Sequence, residues 1–277
     1  MSARFLTVVL ERAFNMRDGF GREIDYMRIS VIDSCNLNCY YCNPCDNNEH
    51  CHALNILSVK EVLCIVRAAT RLGIKHFRLT GGEPLLHPQL DEMVLQIKKI
   101  PGVSSVSLTT NAVLLAQHAK WLKEAGIDSI NVSLDTIDAS EYERITKKPL
   151  LEEVKHGINA AIECGIRVKI NVVLTPQTDV VALTRYASKK GTDIRFIEMM
   201  PVGEGHTNGV EPYKKVIGTL SKLYGEPCRI NTEKTKEINS GNDKRKIPDN
   251  GPAEYYIFPE LGIRVGLIQA IHGKFCD

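Results

Sequence analysis

The chain has 277 residues, 43% hydrophobic and 25% charged, which is ordinary for a soluble globular protein of one large or two small domains. Its net charge of +2 does not indicate a nucleic-acid partner, and no apolar run approaches the roughly 20 residues that span a bilayer. We therefore expect a cytoplasmic protein without nucleic-acid or membrane partners. In such a protein, its nine cysteines suit metal binding or chemistry better than disulfides.

Six short segments alternate apolar and polar residues and are predicted to be strands. In chain order they are 27–32, 75–80, 105–109, 128–134, 167–174 and 193–197. Helical patterns lie between most of them, and Ser58 with Glu61 forms a capping-box signature before one. This alternation predicts an α/β fold with a parallel sheet and outer helices. Six units cannot close an eightfold barrel, so we expect a partial (β/α)6 barrel.

The predicted strands carry polar residues on one face, and four of these residues are basic: Arg28, Arg78, Lys169 and Arg195. Unpaired buried charge is costly, so a curved sheet around a wet or ligand-filled cavity would explain them. The ligand is then expected to be anionic and phosphorylated. A sheet with one solvated face and one helix-covered face is the alternative that the pattern leaves open.

The later part of the chain is less regular. Residues 211–224 have a helical pattern, residues 233–248 are predicted to form an exposed loop, and residues 255–269 contain a strand-like pair around a turn at 259–262. Cys64 and Cys164 fall inside helical patterns, where cysteine is expected to be packed as a small apolar residue.

Five cysteines fall between Cys35 and Cys51. Cys35, Cys39 and Cys42 follow the first strand, at the strand end where parallel α/β folds bind ligands. Three close thiolates suit an iron–sulfur cluster that keeps one iron open. Zinc is the alternative, and it would need a fourth ligand from one of three further residues: Cys45, Cys51 or His52.

Three other strand ends carry specific motifs: Gly81-Gly82-Glu83-Pro84, Leu108-Thr109-Thr110-Asn111 and Asn131-Val132-Ser133-Leu134-Asp135. With Tyr41 before the third cysteine, the chain resembles the radical S-adenosylmethionine (SAM) superfamily. The resemblance implies a [4Fe–4S] cluster on Cys35, Cys39 and Cys42, whose open iron binds SAM. In that superfamily one electron cleaves SAM to a 5′-deoxyadenosyl radical that abstracts a substrate hydrogen, and the protein positions and shields these groups.

Further segments, in order and at family spacing, resemble the GTP 3′,8-cyclase family of molybdenum cofactor biosynthesis. They include residues 20–31, 77–80, 168–173, 194–201 and 251–256. The resemblance implies a lyase that cyclises GTP to (8S)-3′,8-cyclo-7,8-dihydroguanosine 5′-triphosphate, with an electron donor as partner and a homodimer as an assembly to test. The implied GTP contacts are Arg28, Arg78, Thr109, Lys169 and Arg195. The implied SAM contacts are Tyr41, Gly82, Ser133 and Met200.

The chain also departs from that family. We expect a core over residues 18–205 and an incomplete C-terminal region over residues 206–277, because the family's second cluster needs three cysteines and only Cys276 matches. A second [4Fe–4S] cluster is therefore expected to be absent. The alternatives are a truncated cyclase and a relative that acts on another phosphorylated substrate or only binds nucleotide. Ala112 stands where the family has glycine, and Cys45 is expected to be a free thiol.

Overall fold

The computed structural model describes residues 16–19, 21–42, 55–199, 212–230 and 253–269. Nine strands and seven α-helices lie in these ranges. The strands are β1 (Tyr26–Ser30), β2 (His76–Thr80), β3 (Ser105–Thr110), β4 (Ser129–Ser133), β5 (Arg167–Leu174), β6 (Asp193–Glu198), β7 (Cys228–Ile230), β8 (Glu254–Ile257) and β9 (Arg264–Ile268). The helices are α1 (Val59–Arg71), α2 (Leu90–Lys98), α3 (Leu115–Glu124), α4 (Ala139–Thr146), α5 (Leu151–Glu163), α6 (Val180–Lys189) and α7 (Pro212–Tyr224).

One sheet contains all nine strands, in the order β1-β2-β3-β4-β5-β6-β9-β8-β7. Strands β1 to β6 are parallel neighbours in chain order, and β9 pairs parallel to β6. The prediction of a partial six-unit α/β barrel is confirmed. All six predicted strands are present with ends shifted by at most two residues. The later helix and the strand pair are also present, whereas β7 was not predicted.

Local sequence sets several element ends. The backbone N–H of Ser58 donates to Glu61 Oε2 at 2.8 Å, and the backbone N–H of Glu61 donates to Ser58 Oγ at 3.3 Å, which completes the predicted capping box of α1. Cys164 contacts the core as expected, but Cys64 is exposed, so the packing prediction was wrong for Cys64. A helical pattern located Cys64 within α1 without placing it on the buried face.

The hydrophobic core lies between the apolar face of the sheet and the helices. Strand residues that are almost wholly buried there include Leu108, Ile130, Val132, Ile170 and Phe196. Burying such a side chain contributes about 1.5–3 kcal/mol. The other face of β1 to β6 then carries the polar residues, as the alternation predicted. None of the helices in the described ranges is long and apolar enough to cross a membrane.

The C-terminal strands continue the sheet of the core. Arg195 of β6 lies opposite Gly266 of β9, and Tyr255 of β8 lies opposite the same glycine on its other side. The boundary between residues 205 and 206 and the loop over residues 233–248 remain predictions, because both lie outside the described ranges.

Candidate active site

The loop with Cys35, Cys39 and Cys42 follows β1 and is held by backbone hydrogen bonds to the end of α4. The N–H of Asn38 donates to the Thr146 carbonyl at 3.1 Å, and the N–H of Tyr40 donates to the Ile145 carbonyl at 3.1 Å. A turn closes between Cys42 N–H and the Cys39 carbonyl at 3.0 Å. We call residues 35–42 the cluster loop.

The three thiols of the cluster loop influence one another electrostatically. Burial, which is the largest cause, and the charges of Asp135, Cys42 and Cys35 together raise the pKa of the Cys39 thiol to about 12. Burial also raises the pKa of Cys35. Metal binding would therefore have to displace protons from these thiols.

The donor set of the cluster loop fits an iron–sulfur cluster, since thiolates are the usual ligands and N–H groups commonly donate to their sulfurs. Cys35 Sγ accepts from Leu37 N–H at 3.5 Å and faces Asn111 Nδ2 at 3.8 Å. Within the described ranges, no three His, Cys, Asp or Glu side chains have converged into a metal-binding arrangement. The thiols would have to turn further toward each other around a cluster. The zinc alternative needs one fourth ligand from Cys45, Cys51 or His52, and all three lie outside those ranges.

The glycine turn, residues 81–84, is packed directly against the backbone that leads into the cluster loop. Gly82 N–H donates to the Ile32 carbonyl at 2.7 Å, and Glu83 N–H donates to the Ser34 carbonyl at 2.8 Å. A Cβ atom on Gly82 would lie 2.5 Å from the Ser34 carbonyl carbon and closer still to two backbone oxygens. The absence of a side chain at Gly82 is therefore what lets the two segments meet.

Glu83 joins the glycine turn to the end of β3. Its carboxylate is 1% exposed and accepts three hydrogen bonds, from Leu85 N–H at 3.0 Å, Thr110 Oγ1 at 2.7 Å and Asn111 N–H at 2.7 Å. Burial raises the pKa of Glu83, and these hydrogen bonds oppose the rise. Asn111 in turn donates from Nδ2 to Asn36 Oδ1 at 2.7 Å, so this network orients the cluster loop. The next residue, Ala112, has φ of 64°, a left-handed conformation that explains why glycine suits this position.

Tyr41 is fixed by a buried carboxylate at the end of β4. Its hydroxyl donates to Asp135 Oδ2, and Asp135 Oδ1 accepts from Val173 N–H at 2.7 Å. Burial raises the pKa of Asp135 to about 6, against the effect of these two hydrogen bonds. A cavity of about 40 Å³ lies beside this pair, with Cys39, Tyr41 and Ser133 among its lining residues. The structure thus brings one cysteine and two predicted SAM contacts to one place.

The predicted GTP contacts lie on the polar face of the sheet. Arg28 is opposite Arg78 in register, and Asn131 lies between Thr109 on one side and Lys169 on the other. We call this surface, which carries Arg28, Arg78, Thr109, Lys169 and Arg195, the basic face.

Two observations describe the electrostatics of the basic face. Burial raises the pKa of Tyr26, and positive charge from Arg78, Arg28 and Arg195 opposes the rise. Arginines of β1, β2 and β6 therefore act on one hydroxyl group, as expected for a curved sheet. Arg195 is 4% exposed, and among the described residues its side chain donates to two neutral amides, Asn171 Oδ1 at 2.9 Å and Asn131 Oδ1 at 2.6 Å.

A carboxylate neutralises the basic residues at the other end of the strands. Asp193 accepts from Arg264 Nε at 3.2 Å and lies 3.7 Å from Arg167 Nη2. Burial alone would raise the pKa of Asp193, but the hydrogen bonds and charge of Arg264 outweigh it and lower the pKa. Asp193 thus pairs with Arg264 and lies near Arg167 at this end of the sheet.

Some predicted site residues lie outside the described ranges, and one cavity lies away from the cluster loop. Met200 and Cys276 lie outside the described ranges, as does Cys45. A cavity of about 580 Å³ lies elsewhere, between α7 and β8, and Tyr256 of the family segment 251–256 is among its lining residues. Sequence analysis gave no role to Glu83, Asp135 or Asn131, although each falls within a quoted motif or on the polar face. Their position in those motifs was the available signal.

The chain is similar in sequence to known proteins. A model described as the Radical SAM superfamily matches residues 29–185. The chain is 36% identical over 265 residues to a GTP 3′,8-cyclase of Clostridium perfringens (strain SM101 / Type A), covering 95% of this chain and 78% of the relative. It is 37% identical over 268 residues to a GTP 3′,8-cyclase of Pelotomaculum thermopropionicum, covering 94% and 78%.

Solved structures share the fold. Methylornithine synthase (PylB) superposes with a TM-score of 0.58 at 16% identity over 73% of this chain. Streptococcus suis SuiB bound to S-adenosylmethionine superposes with a TM-score of 0.57 at 17% identity over 72%. The chain spans 62% and 47% of those two chains, respectively. At these identities the likeness establishes the fold alone.

Proposed function

The chain belongs to the GTP 3′,8-cyclase family of the radical SAM superfamily, and from that premise we propose that it cyclises GTP to (8S)-3′,8-cyclo-7,8-dihydroguanosine 5′-triphosphate. The reaction belongs to molybdenum cofactor biosynthesis. Membership implies a [4Fe–4S] cluster and SAM as cofactors. The shared cyclase name of the relatives favours this function over a protein that only binds nucleotide or acts on another phosphorylated substrate.

The observation that carries the substrate assignment is the basic face beside the cluster loop. A nucleoside triphosphate is a polyanion, and guanidinium groups bind phosphate through paired hydrogen bonds. Arg28, Arg78, Lys169 and Arg195 lie on one face of the sheet, and within the described ranges the side-chain hydrogen bonds of Arg195 go to two neutral amides. We propose that these four residues and Thr109 bind GTP.

The residues around the cluster loop have binding and orienting roles in this proposal. Cys35, Cys39 and Cys42 hold the cluster, and Tyr41, Gly82, Ser133 and Met200 contact SAM. When bound, the cluster and SAM supply the one-electron chemistry that removes a hydrogen atom from the substrate. Glu83 and Asp135 fix the glycine turn and Tyr41 through the hydrogen bonds described above. Packing of the glycine turn against residues 32–34 fixes the segment that enters the cluster loop.

The remaining partners are also proposals. The cluster needs an external electron donor, a homodimer is an assembly to test, and a cytoplasmic location is proposed from the composition and apolar pattern of the sequence. Size measurement in solution, under anaerobic conditions, tests the dimer.

The test is product analysis after anaerobic cluster reconstitution. We expect SAM cleavage to 5′-deoxyadenosine and formation of the cyclised nucleotide when GTP is present. Replacing Arg28, Arg78, Lys169 or Arg195 by alanine should weaken GTP binding by about 1.5–3 kcal/mol each, as expected for charged hydrogen bonds. Arg229→Ala is the matched control, because Arg229 is 64% exposed in its side chain and pairs with Glu254 outside the basic face. Equal GTP affinity in all five variants would contradict the substrate assignment.

A further inference from the structure

Asn131 is a buried amide in the middle of the basic face. It belongs to β4, is 1% exposed, and lies in register between Thr109 of β3 and Lys169 of β5. Both neighbours are proposed GTP contacts. This position fits a structural role as well as a ligand-binding role. The orientation of the amide oxygen and nitrogen distinguishes the two.

The partner of Asn131 fixes that orientation. Arg195 Nη2 donates to Asn131 Oδ1 at 2.6 Å. A guanidinium group can only donate, so the atom that faces it must be the amide oxygen. Rotating the amide by half a turn would set two donors against each other. The amide nitrogen Nδ2 is therefore directed away from Arg195.

Asn131 Nδ2 is buried and has no hydrogen-bond partner within the described ranges. Leaving a buried donor unsatisfied costs about 1–3 kcal/mol, so such groups usually have a functional or solvent partner. Asn171 provides the contrast. It accepts from Arg195 Nε at 2.9 Å, as Asn131 does from Nη2, but it is only partly buried and water can reach it.

The groups near Asn131 indicate what its donor would bind. Lys169 and Arg195 only donate, and the Thr109 hydroxyl can donate as well. A ligand that meets several donors must offer acceptor atoms, and phosphate oxygens offer only acceptors. We propose that Asn131 Nδ2 donates a hydrogen bond to a phosphate oxygen of the bound nucleoside triphosphate, while Oδ1 holds Arg195 in place. This inference rests on the proposed function, because it assumes that the basic face binds a nucleotide.

The variant Asn131→Asp tests the donor. It keeps an acceptor for Arg195 and nearly the same shape, but it loses Nδ2. Asn171→Asp is the matched control, because it also puts a carboxylate next to Arg195 without removing a buried donor. GTP and guanosine affinities are measured by calorimetry on anaerobically reconstituted protein. We expect Asn131→Asp to weaken GTP binding about tenfold more than Asn171→Asp does, as expected for a lost charged hydrogen bond. Guanosine binding, which involves no phosphate, should differ little between the two variants.

Three outcomes separate the inference from the proposed function. If the unaltered chain does not bind GTP, the proposed function fails, and the inference fails with it. If the unaltered chain binds GTP and both variants lose the same affinity, only the role of the Asn131 donor is refuted. If guanosine affinity falls as much as GTP affinity, the assignment to phosphate is refuted.

Folding is checked by thermal unfolding of each variant. If Asn131→Asp melts more than about 5 °C below the unaltered chain, the uncharged pair Asn131→Ala and Asn171→Ala is compared by the same criteria.

Discussion

Replacing Gly82 with alanine should force the glycine turn away from the segment that enters the cluster loop. The new Cβ atom would lie 2.5 Å from the Ser34 carbonyl carbon, whereas real Cβ contacts are essentially never under 3.0 Å. The backbones would have to separate by at least about 0.5 Å, the difference between the two distances. The neighbouring atoms are all backbone, so no side chain can turn aside to make room.

The expected cost follows from two effects. Overpacking costs typically 1–3 kcal/mol, and the hydrogen bonds of Gly82 and Glu83 to residues 32 and 34 would be stretched. Each weakened hydrogen bond adds up to about 1 kcal/mol. We therefore expect the free energy of unfolding to fall by about 3 kcal/mol. For a chain of this size the melting temperature should drop by about 6–12 °C.

Two measurements check the prediction. Thermal unfolding without cofactors reports the packing defect, and iron content with SAM affinity after reconstitution reports the effect on the site. Gly218→Ala is the control, since Gly218 lies in α7 with no atom within 4 Å of the new Cβ, and alanine there should stabilise by about 0.5–1 kcal/mol. If Gly82→Ala melts with the unaltered chain and binds SAM equally well, the close approach of the two segments is not needed.

Three further predictions concern other groups at the site. Tyr41→Phe leaves Asp135 without one of its two hydrogen-bond donors, so the free energy of unfolding should fall by about 1–3 kcal/mol in a denaturation assay. Tyr40→Phe is the control and should cost less in the same assay, because the Tyr40 ring lies beside exposed Arg144. Because Arg264 lowers the pKa of Asp193 below its unfolded value, the stabilisation by Asp193 is present above about pH 4 and is lost as the pH falls through the lowered pKa. Asp193→Asn should therefore be less stable at pH 7 and lose less stability on acidification, and an unchanged acid profile would exclude this ion pair as its cause. The absorbance of the reconstituted cluster should be abolished by Cys35→Ala, Cys39→Ala or Cys42→Ala and retained in Cys45→Ala. An equal loss of absorbance in all four variants would mean that the ligand assignment is wrong and that Cys45 takes part.

Local patterns in the sequence were sufficient for the secondary structure and much of the chemistry. Alternation located the first six strands, and the capping box located the start of α1. The same alternation placed Arg28, Arg78, Lys169 and Arg195 on the polar face, because successive strand side chains point to opposite sides. The order of the cysteine and glycine motifs pointed to the family that the comparisons support.

Pairings between distant parts of the chain could not be obtained in this way. Tyr41 and Asp135 are 94 positions apart, and Asn131 and Arg195 are 64 apart. Whether such residues meet depends on strand register and sheet curvature, and a shift of one residue would turn every side chain to the other face. The exposure of Cys64 was mispredicted for a related reason, since a helical pattern gives less information about a single position than about the helix.

The sequence by itself determined the βα repeat, the polar strand face and the identity of the cysteine motif, because these depend on residues that are close along the chain. Only the tertiary structure decided which polar residues share hydrogen bonds, including the three-way network of Glu83 and the orientation of the Asn131 amide by Arg195. The physical reason is that a hydrogen bond requires atoms within about 3 Å. That distance is set by how the strands and loops are assembled in space, which the residue types do not specify on their own.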